Sequence, residues 1–267
     1  YTGMETPLHG LVDSHFHLLA IREKGIDPSP LLATMKELGY RGIDIGLGGN
    51  DLAERIGLVG GYDEIYFATG LGPWAAAWED WRVKEALQLL VSDLARYPVL
   101  AVGEIGLDNY WKYGTKERQE ELFLAQADLG KPIIIHNREA DEQFITFLRR
   151  HSFPFGGIFH CFSGSEELAD LALEKGFYLS FAGSLTYKGS EPLIALLKRM
   201  PKERLLLETD SPYLAPVPKR GRKNIPLYIE YLYRFVANRL ELPIETLIRL
   251  VSSNFQRFVD EAKVDRP

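Results

Sequence analysis

The sequence has a single cysteine, no long hydrophobic run and no excess of positive charge. Cys161 is alone among 267 residues, so it has no partner for an internal disulfide. This excludes a disulfide-stapled secreted fold and favours a reducing compartment, which we expect to be the cytoplasm. No run of about 18 apolar residues is present, so we expect no membrane span. The N-terminus has no basic stretch followed by an apolar one, and so shows no signal peptide.

The charge balance limits the kinds of partner that the protein can have. Lys and Arg number 31 against 37 Asp and Glu, which gives a net charge of −6. Proteins that coat nucleic acid without specificity are usually basic, so this balance argues against a coating role. It does not exclude an enzyme that binds nucleic acid at one local site.

The length of the chain suits one large domain. α/β barrels of about 250 residues commonly fold as a single unit. No repeat, low-complexity tract or linker interrupts the chain. Residues 1–3 precede Met4, and we expect that they are a cloning remnant. The predicted domain therefore runs over residues 4–267.

Short apolar runs recur along the whole chain and alternate with helical patterns. The runs are rich in Val, Ile, Leu or Phe on both faces, which is typical of buried parallel strands. They cover residues 10–14, 42–47, 65–70, 99–107, 132–136, 157–162, 177–181 and 205–209. The helical patterns repeat apolar residues every three or four positions. They cover residues 31–38, 83–94, 119–129, 144–150, 166–175, 191–200 and 243–261.

Eight strands that alternate with helices predict a single-domain (β/α)8 TIM barrel, of class α/β. We expect the last helix to close the barrel. The alternative is a doubly wound open sheet. That fold favours a glycine-rich turn after the first strand, where this chain has His15-Phe16-His17.

Polar side chains follow five of the predicted strands, at the end where such barrels carry their active sites. They are Asp13, His15 and His17 in the first strand region, Glu104 and Asp108 in the fourth, His136 and Arg138 in the fifth, His160 and Ser163 in the sixth, and Glu208 and Asp210 in the eighth. His15 and His17 are two positions apart, so on a strand they point to the same side. Asp13 shares that side and is expected to orient an imidazole.

Each of these residues has an ordinary explanation when it is taken alone. A buried Glu104 needs a cation, which Lys or Arg can supply. A lone histidine such as His136 or His160 is more often a satisfied core residue. Asp210 before Ser-Pro can simply start a turn. Together, however, four histidines and two carboxylates on one rim supply enough ligands for two divalent ions and leave positions for water.

The motifs around these residues resemble those of the TatD-type metal-dependent deoxyribonucleases, which belong to the amidohydrolase-like metal barrels. In chain order they are His15-Phe16-His17, Gly103-Glu104-Ile105-Gly106-Leu107-Asp108, Ile135-His136-Asn137-Arg138, His160-Cys161-Phe162-Ser163-Gly164 and Glu208-Thr209-Asp210-Ser211-Pro212-Tyr213. Pro216-Val217-Pro218-Lys219-Arg220-Gly221 and Asn254-Phe255-Gln256-Arg257-Phe258 continue the match. The resemblance covers nearly the whole chain.

The resemblance implies a hydrolase that uses two divalent ions, Mg²⁺, Mn²⁺ or Zn²⁺, to cleave phosphodiester bonds of DNA. Family members often act from the 3′ end of single strands, so single-stranded DNA is the expected substrate. It implies that one ion is held by His15, His17 and Asp210 and the other by His136 and His160. Glu104 would bridge both ions, and Asp210 would be the general base.

Two positions depart from the family pattern. Gly72 stands where many members have the histidine of a His-Pro pair, and Ile225 stands where members often have the glutamate of Asn-Glu-Pro. Both lie outside the predicted metal ligands. They therefore bear on substrate contacts more than on metal binding.

Further residues near the predicted rim are candidates for substrate contacts. Arg138 suits a phosphate, although an ion pair with Glu139 or Asp141 is an equal alternative. Ser163 opens the helix after strand six, where free N–H groups can bind phosphate or where Ser163 is an ordinary N-cap. Asp108 and Trp111 follow strand four, and Trp111 is expected to stack on a base.

A basic stretch follows the last strand. Residues 212–224 include Lys219, Arg220, Arg222 and Lys223 and no acidic residue. A solvated loop is the ordinary explanation, but its position beside Asp210 favours contact with a DNA backbone, with Arg220 and Arg222 as the residues involved. Three tryptophans, Trp74, Trp78 and Trp81, are explained better as a packed helix face than as a stacking surface.

Two other functional classes remain as alternatives. One is an amidohydrolase-type enzyme that acts on a C–N or C–O bond of a small molecule. Many such enzymes bridge their metals with a modified lysine, and here Glu104 stands in place of a lysine at the end of strand four. The other is a non-catalytic binding protein on an enzyme scaffold, which the loss of a ligand would support, and none is lost. We expect no membrane and no obligate protein partner.

Overall fold

Eight parallel strands form the barrel in the computed structural model, which describes residues 6–263. Each strand pairs with the next one along the chain, so the order in the sheet is the order in the sequence. Every predicted apolar run overlaps a strand, and the predicted (β/α)8 barrel is confirmed. The strands are β1 (Val12–Phe16), β2 (Arg41–Ile45), β3 (Ile65–Thr69), β4 (Ala101–Asp108), β5 (Ile133–Arg138), β6 (Gly157–Phe159), β7 (Tyr178–Phe181) and β8 (Leu205–Leu207).

Ten α-helices surround the barrel in the described part of the chain. They are α1 (Leu18–Glu23), α2 (Pro28–Glu37), α3 (Leu52–Val59), α4 (Asp80–Arg96), α5 (Lys116–Gln126), α6 (Asp141–Arg150), α7 (Glu166–Glu174), α8 (Glu191–Arg199), α9 (Ile229–Leu240) and α10 (Ile244–Lys263). All seven predicted helices are present, whereas α1, α3 and α9 were not predicted. No helix between residues 6 and 263 combines the length and the apolar character needed to cross a membrane. The expected remnant, residues 1–3, lies outside the described residues.

Local sequence explains several of the helix starts. The side chains of Asp27, Thr115 and Ser165 accept hydrogen bonds from backbone N–H groups in the first turns of α2, α5 and α7. These N–H groups have no partner within the helix, so the caps stabilise each start. Between the caps, apolar stripes hold the helices against the barrel.

The barrel is joined between β8 and β1 by the segments that follow these two strands. The N–H of Asp210 donates to the carbonyl of His15 at 2.8 Å, and the N–H of His17 donates to the carbonyl of Ser211 at 2.9 Å. On the outside, α10 packs on both strands, as predicted for the closing helix. Three residues of the predicted metal site, His15, His17 and Asp210, therefore also hold the barrel together.

Two irregularities in strand register occur next to the predicted site. The β1–β2 register shifts between Asp13 and Phe16, and the β4–β5 register shifts between Gly103 and Ile105. Bulges of this kind turn a side chain away from the alternation of a regular strand. The second shift contains Glu104, whose carboxylate consequently points toward the C-terminal end of the barrel.

Aromatic side chains fill the space between β6 and the neighbouring helices. Phe144 in α6 is 1% exposed, and its ring centroid lies 5.4 Å from that of Phe123 and 5.7 Å from that of Phe159. Edge-to-face contacts at such distances add to the free energy gained from burial. This cluster anchors α5 and α6 beside the strand that leads to His160.

We predict that Phe144→Ala destabilises the protein strongly, because it removes a buried ring and leaves a cavity. Truncations of this kind reduce the free energy of unfolding by about 3–5 kcal/mol. Urea denaturation measures this change. As a control, Val91→Ala on the exposed side of α4, where Val91 is 55% exposed, should change it by no more than about 0.5 kcal/mol. Equal effects of the two changes would contradict the packing role of Phe144.

Candidate metal centre

The six side chains predicted to bind metal lie together at the C-terminal end of the barrel. Their nitrogen and carboxylate oxygen atoms form overlapping groups, in each of which the atoms lie within 4.8 Å of one another. The first group is His15, His17, Glu104 and Asp210, the second is Glu104, His136 and His160, and the third is His15, His160, Glu208 and Asp210. Glu104 links the first two groups, which together contain all six predicted ligands.

The Glu104 carboxylate faces a different pair of histidines with each oxygen. Its Oε2 lies 2.8 Å from Nε2 of His15 and 3.5 Å from Nε2 of His17. Its Oε1 lies 3.1 Å from Nδ1 of His136 and 3.3 Å from Nε2 of His160. One carboxylate with an oxygen turned to each of two ligand pairs is suited to bridge two cations.

Asp210 completes the first group from the segment after β8. Its Oδ1 lies 3.1 Å from Nε2 of His17 and 3.5 Å from Nε2 of His15. The backbone of Asp210 is left-handed, with φ +57°, a conformation that Asp tolerates better than most residues. The carbonyl of Asp210 also accepts a hydrogen bond from the N–H of Tyr213 at 2.9 Å, so this residue starts a turn as well as facing the centre.

His17 lies beyond the strand on which the sequence placed it. β1 ends at Phe16, and His17 is the N-cap residue of α1. Its ring nevertheless turns toward His15, with the ring centroids 4.9 Å apart. The two imidazoles therefore meet because the chain turns from β1 into α1 at His17. Alternation along a regular strand is not the cause.

Three of the four histidines have one ring nitrogen held by a protein acceptor and the other directed into the cluster. Nδ1 of His17 lies 2.8 Å from the carbonyl oxygen of Ile45, and Nε2 of His136 lies 2.9 Å from Asp108 Oδ2. Because a carbonyl only accepts, Nδ1 of His17 carries a proton, and in the neutral ring Nε2 has the lone pair. Such contacts are typical of histidines that bind metal ions.

Glu208 supplies the third such contact, and sequence reasoning gave it no role. Its Oε2 lies 3.1 Å from Nδ1 of His160, and its Oε1 accepts a hydrogen bond from the N–H of Cys161 at 2.9 Å. The side chain is fully buried. The signal was present in the sequence, because Glu208 directly follows the apolar strand β8 without a neighbouring Lys or Arg, as Glu104 follows an apolar run.

The prediction that Asp13 orients an imidazole is wrong. Its Oδ1 accepts hydrogen bonds from the backbone N–H of His15 at 3.2 Å and of Thr209 at 2.9 Å, and its Oδ2 accepts one from the Thr209 hydroxyl at 2.6 Å. The register shift in β1 turns this carboxylate away from the imidazoles. Asp13 instead ties β1 to the segment after β8, and burial raises its pKa to about 8.

The electrostatics of the cluster keep its carboxylates ionised. Burial opposes the charge on Glu104, but the imidazoles of His160 and His15 outweigh it and hold the pKa of Glu104 well below its ordinary value. Burial also opposes the charge on Asp210, and the hydrogen bond with His17 together with the neighbouring histidines lowers its pKa overall. Burial and the neighbouring His160 lower the pKa of His15, which favours its neutral form.

The chemistry of these donors fits divalent cations. Imidazole nitrogens and carboxylate oxygens together are the ligands of Zn²⁺ and of related first-row ions. Within residues 6–263, no Lys or Arg forms an ion pair with Glu104 or Asp210. Two buried carboxylates without a Lys or Arg partner need positive charge beside them, which bound divalent cations would supply when the imidazoles are neutral.

Arg138 and Trp111 lie together beside the centre. The guanidinium carbon of Arg138 lies 4.0 Å from the ring centroid of Tyr110 and 5.9 Å from that of Trp111. Among the described residues, Arg138 forms no ion pair, so the alternative of pairing with Glu139 or Asp141 is wrong. Trp111 is 60% exposed and offers a free aromatic face.

Asp108 occupies a different place from these exposed candidates. It is buried, with Oδ2 on His136 and with Oδ1 accepting hydrogen bonds from the N–H groups of Tyr110 at 3.0 Å and Trp111 at 2.8 Å. The hydrogen bond with His136 helps to hold the pKa of Asp108 below its usual value, although burial opposes this. Asp108 therefore links the centre to the aromatic pair.

The expectation that Ser163 opens the helix after β6 is wrong. Helix α7 begins at Glu166, and its N-cap is Ser165, whose side chain accepts a hydrogen bond from the N–H of Leu168. The N–H of Ser165 itself donates to Asp141 at 2.8 Å. Ser163 is exposed and lies before this capped start.

The basic stretch is held against tyrosine rings. The Arg220 guanidinium carbon lies 3.8 Å from the ring centroid of Tyr187, and Nζ of Lys219 lies 5.5 Å from that of Tyr228. Nζ of Lys223 donates to the carbonyl of Lys24 at 2.6 Å. The Arg222 side chain is exposed and has no partner in the part of the chain that the structure describes.

Trp74 accounts for one departure from the family pattern. A Cβ at Gly72 would lie only 2.2 to 2.5 Å from ring atoms of Trp74, so this ring excludes any larger residue at position 72. Nε1 of Trp74 donates to the carbonyl of Leu47 at 3.1 Å, and its ring centroid lies 6.3 Å from that of His136. As predicted, Trp74 and Trp78 pack in an apolar cluster, but Trp74 also borders the centre. The predicted packing of Trp81 is wrong, because this residue is 62% exposed.

We predict that this cluster binds two divalent ions and that Asp108→Asn weakens one of them. The change removes the negative charge that holds Nε2 of His136, so the affinity of the ion beside His136 should fall about 10- to 100-fold. Calorimetric titration of the metal-free protein with Zn²⁺ or Mn²⁺ measures both the number of ions and their affinities.

The matched control is Asp170→Asn, which removes the same charge from an exposed ion pair with Arg199. It should leave both affinities unchanged. A wild-type protein that binds fewer than two ions, or an Asp108→Asn variant with unchanged affinities, would contradict this assignment.

Comparison with known proteins agrees with this geometry. The family model for TatD related DNase matches residues 12–260. Bacillus subtilis (strain 168) has a relative named uncharacterized metal-dependent hydrolase YabD, 34% identical over 260 residues that cover 92% of this chain and 98% of the relative. A relative from Edwardsiella piscicida, named 3′-5′ ssDNA/RNA exonuclease TatD, is 36% identical over 77% of this chain and 83% of its own length.

The fold also matches a crystal structure. YjjV, a TatD homologue from Escherichia coli K12, superposes with a TM-score of 0.84 at 27% sequence identity, and the match covers 93% of this chain and 97% of YjjV. The family model, the Bacillus subtilis relative and the solved structure thus match almost the whole barrel. The chain belongs to the TatD-related DNase family of metal-dependent hydrolases.

Proposed function

We propose that the protein is a metal-dependent deoxyribonuclease that removes nucleotides from the 3′ end of single-stranded DNA. The observation that carries this proposal is the Glu104 carboxylate, which turns one oxygen to His15 and His17 and the other to His136 and His160. Two ions bound on this frame are suited to phosphodiester hydrolysis. The name of the Edwardsiella piscicida relative supports the direction and the substrate.

The residues of this chain divide the work of such a reaction between them. Bound divalent ions lower the pKa of a water and compensate negative charge on the phosphate. His15, His17, His136, His160, Glu104 and Asp210 would hold them. Asp210 is ionised and is the most exposed carboxylate of the set, so it can take the proton from the attacking water.

Groups around the centre suit a nucleic acid chain. Arg138 on Tyr110 offers a planar cation for a phosphate, and the exposed ring of Trp111 offers a surface on which a base can stack. Arg220 and Arg222 add positive charge from the segment that follows Asp210. Basic side chains clustered near the site would allow a protein of net charge −6 to bind DNA.

The alternative of a hydrolase for C–N or C–O bonds has less support. Enzymes of that class often bridge their ions with a modified lysine, and β4 contains no lysine. Glu104 would take the bridging position there. We therefore place phosphodiester cleavage first.

The direct test is the digestion of end-labelled single-stranded DNA with added Mg²⁺, Mn²⁺ or Zn²⁺. We expect products that shorten stepwise from the 3′ end, and no products with a chelator. Asp210→Asn keeps the size and one oxygen ligand but removes the proton acceptor, so cleavage should slow by about 10²–10⁴-fold. The variant should still fold and bind the DNA.

The outcomes separate the catalytic role of Asp210 from its role in the turn. Asn is an equally good turn residue, so nearly unchanged cleavage by Asp210→Asn at saturating metal would overturn the role as general base. A wild-type protein that cleaves no DNA with any of the three metals, but hydrolyses a small amide or lactone, would favour the alternative function.

We further predict that the basic stretch binds DNA without taking part in the chemistry. Replacing Arg220 and Arg222 with Ala should weaken the binding of single-stranded DNA. The slope of log affinity against log salt should decrease by about 0.7 for each lost phosphate contact, because fewer counterions are released. Turnover of a small phosphodiester should barely change. Binding measured by fluorescence anisotropy at several salt concentrations tests this.

A matched control removes the same charge from the other end of the barrel. Lys36 and Lys175 are exposed at the C-terminal ends of α2 and α7, and replacing both with Ala should leave the salt slope unchanged. If the Arg220 and Arg222 variant loses turnover of the small substrate as severely as that of DNA, the stretch is structural and the prediction fails.

A further inference from the structure

A fully buried guanidinium lies between β2, β3 and α3. Arg55 is 0% exposed, and its three nitrogens all donate to protein oxygens. Nη1 donates to the carbonyl of Asp44 at 3.1 Å and to its Oδ2 at 3.0 Å, Nη2 donates to the carbonyl of Ala68 at 3.0 Å, and Nε donates to Oδ1 of Asp51 at 2.9 Å. Arg55 thereby fixes both the backbone and the side chain of Asp44.

Asp44 and its neighbour Ile45 hold the segment that carries His17. The other carboxylate oxygen of Asp44, Oδ1, accepts a hydrogen bond from the N–H of Leu18 at 2.9 Å. The next carbonyl, that of Ile45, accepts the Nδ1–H of His17 at 2.8 Å. Residues 44 and 45 therefore contact residues 17 and 18 at two points, one on the backbone and one on the imidazole.

Space for this arrangement is provided by the residue that follows Ile45. A Cβ at Gly46 would lie 2.5 Å from Nη2 of Arg55, so the close approach of the guanidinium requires glycine there. The end of β2 is thus shaped around Arg55, immediately beside the carbonyl that contacts His17.

Stability alone does not explain a buried ion pair. Removing two charges from water carries a penalty that their attraction often fails to exceed, and well-packed apolar residues of similar size are often as stable. The pair does, however, impose a direction on the groups it touches, because a guanidinium donates in a fixed planar fork. The direction imposed here is that of the Asp44–Ile45 peptide.

We propose that Arg55 and Asp44 are positioning residues for His17. By holding the Asp44–Ile45 peptide and the N–H of Leu18, they place the Ile45 carbonyl so that the proton of His17 stays on Nδ1 and Nε2 points toward Glu104 and Asp210. The inference rests on the proposed metal centre, in which Nε2 of His17 is a ligand. It assigns a function to a buried pair that itself does not touch the centre.

The test compares the metal-free wild-type protein with Arg55→Met, Arg55→Lys and Asp44→Asn. Nitrogen NMR of the His17 ring, recorded as the pH is raised until the ring is neutral, reports which nitrogen carries the proton. We expect the Nδ1–H form in the wild type and a mixture of the two forms in Arg55→Met and Asp44→Asn. Arg55→Lys should lie between them, because lysine restores the charge without the planar fork.

Calorimetric titration with Zn²⁺ measures the consequence for the ion beside His17. Its affinity should fall about 10- to 100-fold in Arg55→Met and Asp44→Asn, the range seen when groups that orient metal ligands are lost. The affinity of the ion beside His136 should stay unchanged. If Arg55→Met does not fold, Asp44→Asn decides, because its amide oxygen still accepts from Leu18.

The control is a buried polar residue of similar structural importance at the other end of the barrel. Asn254 is fully buried and donates to the carbonyls of Lys202 and Leu205. Asn254→Leu should lower the unfolding temperature and leave the His17 ring and both Zn²⁺ affinities unchanged. A loss of affinity in this variant as large as in Arg55→Met would reduce the effect to general destabilisation and overturn the proposal.

Two further results separate this inference from the proposed metal centre. If His17→Ala leaves the number and affinity of bound Zn²⁺ ions unchanged, His17 is not a ligand and the metal assignment itself fails. If His17→Ala loses one ion while Arg55→Met and Asp44→Asn retain wild-type affinity and the Nδ1–H form, the metal centre stands and the positioning role is wrong.

Discussion

The burial of the Glu104 carboxylate among four imidazoles is the interaction on which the rest of the site depends. The carboxylate is only 4% exposed and has no Lys or Arg partner in the described part of the chain. A charge in such a position requires cations, and its two oxygens divide the histidines into two pairs. The arrangement of ligands for two ions, and hence the proposed hydrolysis, follows from the direction of this one side chain.

The barrel supplies that direction through departures from regular strand geometry. The register shifts at Glu104 in β4 and between Asp13 and Phe16 in β1 turn side chains that strict alternation would place elsewhere. The hydrogen bonds that join the ends of β1 and β8 then carry His15 and Asp210 to the same point. The hydrogen bonds that close the barrel therefore also place two of the predicted ligands at the centre.

A second set of contacts holds the imidazoles in the forms that the centre needs. Asp108 orients His136, Glu208 orients His160, and the Ile45 carbonyl orients His17. Two of these partners are carboxylates that themselves accept backbone N–H groups. The third belongs to the residue after Asp44, whose carbonyl and carboxylate accept from the buried Arg55 guanidinium. Outside these held imidazoles, the side chains of Arg138 and Trp111 are exposed and can contact a ligand. The centre thus combines fixed metal ligands with accessible groups around them.

The sequence by itself determined the barrel, its strand order and the six residues that meet at its rim, because apolar runs and strand ends are local properties of the chain. It placed Asp13 on the wrong side, assigned the start of α7 to Ser163 and overlooked Glu208 and Arg55. Three of these depend on contacts with other strands: Asp13 binds Thr209, Glu208 binds His160, and Arg55 binds Asp44 and Ala68. Only the tertiary structure decided these contacts. A register shift or a buried hydrogen bond is set by the neighbouring strand, so it leaves no periodic pattern in the sequence of the strand that carries it.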